Sequence, residues 1–569
     1  MSDFKMRALE IHSAYCWDFD WVTRAIRFCK EHDLTTLILH RNDIVEQVTY
    51  PGQYFGCTRG KYANIFERYA DLFRVAYKYT PTRRSGPVQR RAYLKRVVEQ
   101  ARRLGIDVWV ENKELSFPEI LLEFHPELVK GGKVCANDPF WWEFTRAKYV
   151  EFFEEFPEIS GVITAPATGE SRISITSNRC TCERCRATAP QEWFSNLIAA
   201  MYEPIKAAGK QLVIRDFVFN RQAHEQIART MEQLPGDIII ALKNTPHDYY
   251  PTFPDNPRLG KVGAHDQWIE FDTMGQYFGW GIGISIMIDD MRRRLKVAKG
   301  LGVSGVMYRT DWESLEAHSC FQTPNFVNLF AGAALANDLN ADSAQIYRQW
   351  LIEKGFLAPG LSVEKEKATA TWVESILEQS WDVIRRTVYV NDCVFSDSST
   401  LPVSMEHALW LAEEKNQLKE WDPSKVNALS VDEENVRRIM AEKDDALTLI
   451  ERMSAQARQG AAGLTAAAQS DLVNRLEIFA RYVRAFRAAT HAIILTKYLL
   501  QRDAKIKSRF ADEAPAIARA RLQDLLALAK EFEEFYASTA FQYTVYTLLD
   551  PERLTALHGD LSRQLNGII

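Results

Sequence analysis

Short apolar runs recur through the first 320 or so residues, at 8–11, 36–39, 107–110, 161–164, 211–215, 237–242, 267–271 and 305–308. Each has the length of a buried strand. Stretches of helical period lie between most of them, such as 90–104 and 191–208. Helix-stop glycines precede several runs, as in Leu104-Gly105-Ile106 and Leu301-Gly302-Val303. Eight strands alternating with helices predict an α/β fold, a (β/α)8 TIM barrel over residues 1–340. A doubly wound sheet is the alternative, but no Gly-rich dinucleotide fingerprint follows the first run.

The pattern changes from about residue 341. Segments 343–354, 364–386, 433–459 and 465–501 keep helical period without strand runs. Loops at 391–403 and 418–430 separate them, and 461–468 reads as a helix junction. This half, 341–569, is expected to be a mainly α-helical C-terminal domain. A helical domain of this size also suggests a homodimer.

Composition narrows the function classes. The chain of 569 residues is 46% apolar and 25% charged, with a net charge of -5. No basic run exceeds a few residues, so neither nucleic acid nor an anionic membrane is an expected partner. No stretch is long and apolar enough for a membrane span. Nine cysteines without a signal-like start suggest reduced thiols and a cytoplasmic location.

In a parallel barrel the chemistry sits at the carboxyl ends of the strands. There the sequence places Glu170 after the fourth run, and Arg215 and Asp216 after the fifth. The sixth gives Lys243, His247 and Asp248, and the seventh Asp272, Gln276 and Tyr277. The eighth gives Arg309, Asp311, Trp312 and Glu313. The first three runs add Trp17, Asn42 and the group Glu111 to Glu114. Glu170 and Asp248 are a candidate acid/base pair, since glycoside hydrolysis needs two carboxyl groups flanking the scissile bond. Ordinary loop carboxylates are the plainer reading. Arg215 and Lys243 can clamp an anion, or can simply neutralise Asp216 and Asp248. Trp312 is a stacking candidate, whereas Trp141 and Trp142 belong in a helix core. Cys180, Cys182 and Cys185 have spacing suited to a structural zinc with a fourth ligand from elsewhere. No cofactor is otherwise required.

The ordered blocks 137–142, 156–163, 213–220, 242–248, 270–271, 276–279 and 302–306 resemble the family 67 α-glucuronidases of xylan breakdown. The resemblance implies an exo-acting glycoside hydrolase that releases a terminal uronic acid from an oligosaccharide with inversion. It puts the general acid on Glu170 and the catalytic base on Asp248. Arg215 and Lys243 then hold the sugar carboxylate, with Asp272, Gln276, Tyr277, Arg309 and Trp312 as further substrate contacts. Gln276 stands where that family has a second carboxylate, Pro166 where it has a lysine, and the cysteine group is foreign to its pattern. Two other readings follow from these departures. One is a sugar-binding barrel that has lost catalysis. The other is a uronic-acid lyase or isomerase with His247 or Tyr277 as base.

Overall fold

The computed structural model describes residues 3–51, 54, 82–166, 170–176, 180–216, 221–315, 317–502, 507–538 and 543–568. The expectations placed on 167–169 and 217–220 lie outside the described residues. All eight apolar runs are strands: β1 (Met6–Ile11), β2 (Thr36–His40), β3 (Asp107–Glu111), β4 (Gly161–Thr164), β5 (Gln211–Asp216), β6 (Ile239–Lys243), β7 (Gln267–Asp272) and β8 (Gly305–Arg309). They form one closed parallel barrel, with β1 pairing β2 on one side and β8 on the other.

Period two along the strands sorts the barrel interior into layers. Ala8, Ile38, Trp109, Ile163, Val213, Ala241, Trp268 and Met307 form an apolar layer, joined by Ile239. Trp109 and Trp268 meet edge to face there, with ring centroids 5.1 Å apart. Two strand-initial glycines make room for these indoles. A Cβ on Gly161 would run into Trp109, and one on Gly305 into Trp268.

Helices follow most strands, including Phe19–Glu31, Thr82–Arg103, Phe140–Glu155, Pro190–Ala207, Arg221–Met231 and Ile288–Gly300. Between β6 and β7 the chain makes turns instead of a helix. Trp141 is fully enclosed in the Phe140–Glu155 helix, as expected of a core residue.

The chain divides into two compact units. The first holds residues 1–244, 256–271 and 297–317. The second holds 245–255, 272–296 and 318–569. The expected boundary at 340 meets a division that groups residues 245–255 and 272–296 with 318–569. In that unit Glu433–Gln459 and Ala466–Gln501 are the expected long helices, joined through Gly460 at φ 75°. Thr465 caps the second, accepting from the Ala468 amide at 3.2 Å. The expected helix 364–386 is two, Val363–Leu377 and Ser380–Val388. Among the described residues no helix is long and apolar enough to cross a membrane.

Candidate active site at the carboxyl end of the barrel

Two residues beyond each member of the apolar layer the strands carry Glu10, His40, Glu111, Ala165, Arg215, Lys243, Glu270 and Arg309. All eight are buried, and seven are titratable. Register ties the ring together: Glu10 is level with Arg309, His40 with Glu111, and Lys243 with Glu270.

Arg215 is the hub. Its Nε donates to Glu270 Oε1 at 2.8 Å and Oε2 at 2.7 Å, and Nη1 donates to Glu111 Oε1 at 2.9 Å. The sequence suggested Asp216 or Asp248 as its neutralising partners, or a ligand anion. Asp216 meets Arg258. Alternation explains this: Asp216 is one residue on from Arg215 and points to the other side of the sheet.

Lys113, from the chain just past β3, lies 3.2 Å from Glu111 Oε1 and 3.1 Å from Glu170 Oε2. Burial pulls the Lys113 ammonium down, but Glu170 and Glu111 outweigh it and its pKa ends above the ordinary lysine value. Glu170 itself is 32% exposed, in a turn after β4. It is the most open of these carboxylates.

On the opposite flank of Glu111, His40 Nδ1 lies 2.6 Å from Glu10 Oε1, and His40 Nε2 3.3 Å from Glu111 Oε1. His12 stacks on His40 at 3.5 Å between centroids, and its Nε2 is 2.8 Å from Glu313 Oε2. Burial, then repulsion from Glu111, raises Glu10 to about 8, so it keeps its proton at neutral pH. Burial also disfavours an ionised Glu111, but Arg215 and Lys113 overcome it and hold its pKa below the ordinary value. Burial, then His12, keeps His40 neutral. Asp311 accepts from the His12 amide at 2.6 Å and the Ser13 amide at 3.2 Å, which fixes the backbone that carries His12. Among the described residues, Glu10 Oε2 and Glu111 Oε2 find no hydrogen-bond donor.

The second unit carries the other expected catalytic group. Asp248 Oδ2 accepts from the Tyr277 hydroxyl, and Oδ1 from the Tyr249 amide at 3.1 Å. Tyr250 packs on Tyr277 with centroids 4.5 Å apart. His247 Nε2 lies 3.3 Å from the Lys415 carbonyl. Asp272 was expected at the substrate. Its carboxylate accepts from the amides of Met274 at 3.0 Å, Gly275 at 3.2 Å and Gln276 at 2.8 Å, an aspartate-nucleated turn. Gln276 is buried and its amide donates to Ser398 Oγ at 3.3 Å. Lys243 and Arg309 are buried in the ring, and Trp312 is half-buried.

Sequence reading assigned no role to Glu10, His12, His40 or Lys113. Their signal was positional. Each lies two or four residues beyond an apolar-layer position, on the same face of its strand or strand end.

No protein-family model and no curated protein matches the chain. Among solved structures, a GH138 enzyme targeting pectin rhamnogalacturonan II aligns with a TM-score of 0.60 at 11% identity, over 93% of this chain and 62% of that one. The chain therefore spans less than two thirds of that enzyme's length. An O-GlcNAc hydrolase of Thermobaculum terrenum aligns over 100% of this chain and 97% of that one, with a TM-score of 0.44 and 11% identity. These similar structures are glycoside hydrolases, and the first is alike in fold.

Proposed function

We propose that the protein is an exo-acting glycoside hydrolase that releases a terminal uronic acid from an oligosaccharide. The observation that carries the reading is the titratable ring closing the barrel at its carboxyl end. It includes buried carboxylate oxygens that find no donor among the described residues and suit a hydroxyl-rich ligand. Arg215, Lys243 and Arg309 make its cationic part, which matches a sugar carboxylate. The barrel's likeness to a pectin-targeting hydrolase supports the same class.

In the inverting form, Glu170 donates its proton to the glycosidic oxygen. Asp248 takes a proton from a water that attacks the anomeric carbon on the opposite face. The Tyr277 hydroxyl holds one oxygen of Asp248 and so aims the other. This form requires the two carboxyl groups about 6.5–9.5 Å apart.

A second reading has its own support. Glu170, Lys113, Glu111, Arg215 and Glu270 form a continuous chain of ion pairs inside one unit. Glu270 would then act as nucleophile, with retention of configuration.

Aryl glycosides and uronic-acid oligosaccharides, with the anomer of the first product read by NMR, separate the two. Glu170→Gln is expected to lower turnover about 10²–10⁴-fold in either case. Asp248→Asn does the same only for inversion, and Glu270→Gln with product retention supports the second form. Full activity in Glu170→Gln rejects both.

A further inference from the structure

Cys135, Cys180, Cys182 and Cys185 bring four sulfurs within 4.8 Å of one another. Cys135 comes from the turn between the Val129–Lys130/Lys133–Val134 ribbon and the Phe140–Glu155 helix, the other three from the connection after β4. Cys135 Sγ is 3.6 Å from the sulfurs of both Cys182 and Cys185. A disulfide needs about 2.05 Å, and all four thiols are free. Four thiolates about 2.3 Å from a tetrahedral ion stand about 3.8 Å from one another, close to the observed spacing.

The frame around the sulfurs is built rather than incidental. Trp141 Nε1 donates to the Cys135 carbonyl at 2.8 Å, and Trp193 Nε1 to the Ala136 carbonyl at 2.8 Å. Both indoles belong to fully buried side chains. The Asn137 amide is directed at the sulfurs of Cys135 and Cys185, and the Cys185 amide at Cys182. Amides aimed at sulfur favour thiolate and orient it, as outer partners of metal ligands do.

The geometry points to a structural zinc site in which Cys135 is the fourth ligand to Cys180, Cys182 and Cys185. An all-sulfur tetrahedral set selects zinc or iron and leaves no open position for substrate. On binding, four S–H protons leave to solvent and four metal–sulfur bonds form, with no change in the oxidation state of zinc. The site would clip the segment that follows Glu170 onto the turn at Cys135. It stands on the cysteines alone and does not depend on the glycosidase reading.

The full chain, purified without a metal-binding tag, should carry about one zinc per chain by elemental mass spectrometry. Cys135→Ser and Cys182→Ser should each lose it. Cobalt added to stripped wild-type protein should give the intense visible bands of a tetrahedral thiolate complex. That measurement keeps the test open if a variant fails to fold. Three results would overturn the site: full zinc retention in Cys135→Ser, a disulfide among the four in the mass spectrum, or wild-type protein that takes up neither metal. Iron in place of zinc would overturn the metal assignment.

Discussion

Two lysines serve β3 and its surroundings, and they live in opposite kinds of company. Lys148 is wholly enclosed. Its ammonium donates to Glu114 at 2.8 and 2.9 Å and to the Ser116 carbonyl at 3.2 Å, and it also meets Glu46. Glu114 is finished off by the Tyr149 hydroxyl at 2.6 Å, the Asn112 amide at 2.8 Å and the Ser116 backbone at 3.0 Å. Lys113 is as buried, yet one of its two carboxylates, Glu170, opens to solvent. Along this stretch the chain alternates. Glu111 and Lys113 face the barrel mouth, while Asn112 and Glu114 join the Lys148 cluster. One cluster is wholly enclosed, with Glu46 Oε2 finding no donor among the described residues, and the other is left able to exchange a partner. Closed polar clusters specify a structure. Open ones suit a site.

Deleting each cation tests that contrast most severely. Lys148→Met leaves Glu46 and Glu114 enclosed without a cation, at an expected loss of about 3–5 kcal/mol. Lys113→Met leaves Glu111 with Arg215 and His40, and lets Glu170 turn to water, so about 1–3 kcal/mol is expected. Turnover should fall the other way, by about 10²-fold in Lys113→Met through a misplaced Glu170. Urea unfolding of both variants, together with kinetics of the Lys113 variant, measures this. Equal stability losses would erase the distinction between the clusters.

The apolar layer beneath the ring makes a smaller test. Gly161→Ala forces a Cβ against Trp109, and the indole has Trp268 behind it. Overpacking of this kind costs about 1–3 kcal/mol. Calorimetry should show a lower Tm. An unchanged Tm would mean that the floor under the charged ring is soft.

The same layering explains what the sequence made legible. Strands were readable because short, mostly apolar runs recur in order between stretches of helical period. The ends of those runs were harder. Glu10 sits inside an apolar run, and His40 directly follows one, so neither stands out as a site residue. Lys113 and Glu170 are far apart in sequence and meet only because β3 and β4 are adjacent in the barrel. Asp272 and Arg215 were visible, but their partners were not. The three backbone amides that Asp272 accepts from leave no mark in the sequence. For the cysteines, spacing disclosed three, and only the fold could bring Cys135 to them.

The mildest test concerns protons. Glu10 has its pKa raised from 4.5 to about 8 by burial, and then by Glu111. The folded state therefore holds a proton that the unfolded chain releases. The stability tied to that proton is fully present below pH 4.5 and is lost as pH rises through about 8. Glu46, raised to about 7 chiefly by burial, acts in the same direction in the closed cluster. A slope of up to about 1.4 kcal/mol per pH unit is expected from Glu10. Glu10→Gln mimics the protonated acid and has no proton to lose. Its stability should match that of the wild type at the acid end and exceed it increasingly towards pH 8. Urea unfolding of both proteins at several pH values between about 5 and 8 measures the difference. Parallel curves would mean that Glu10 is ionised in the folded barrel, and the ring would then carry one more negative charge facing its ligand.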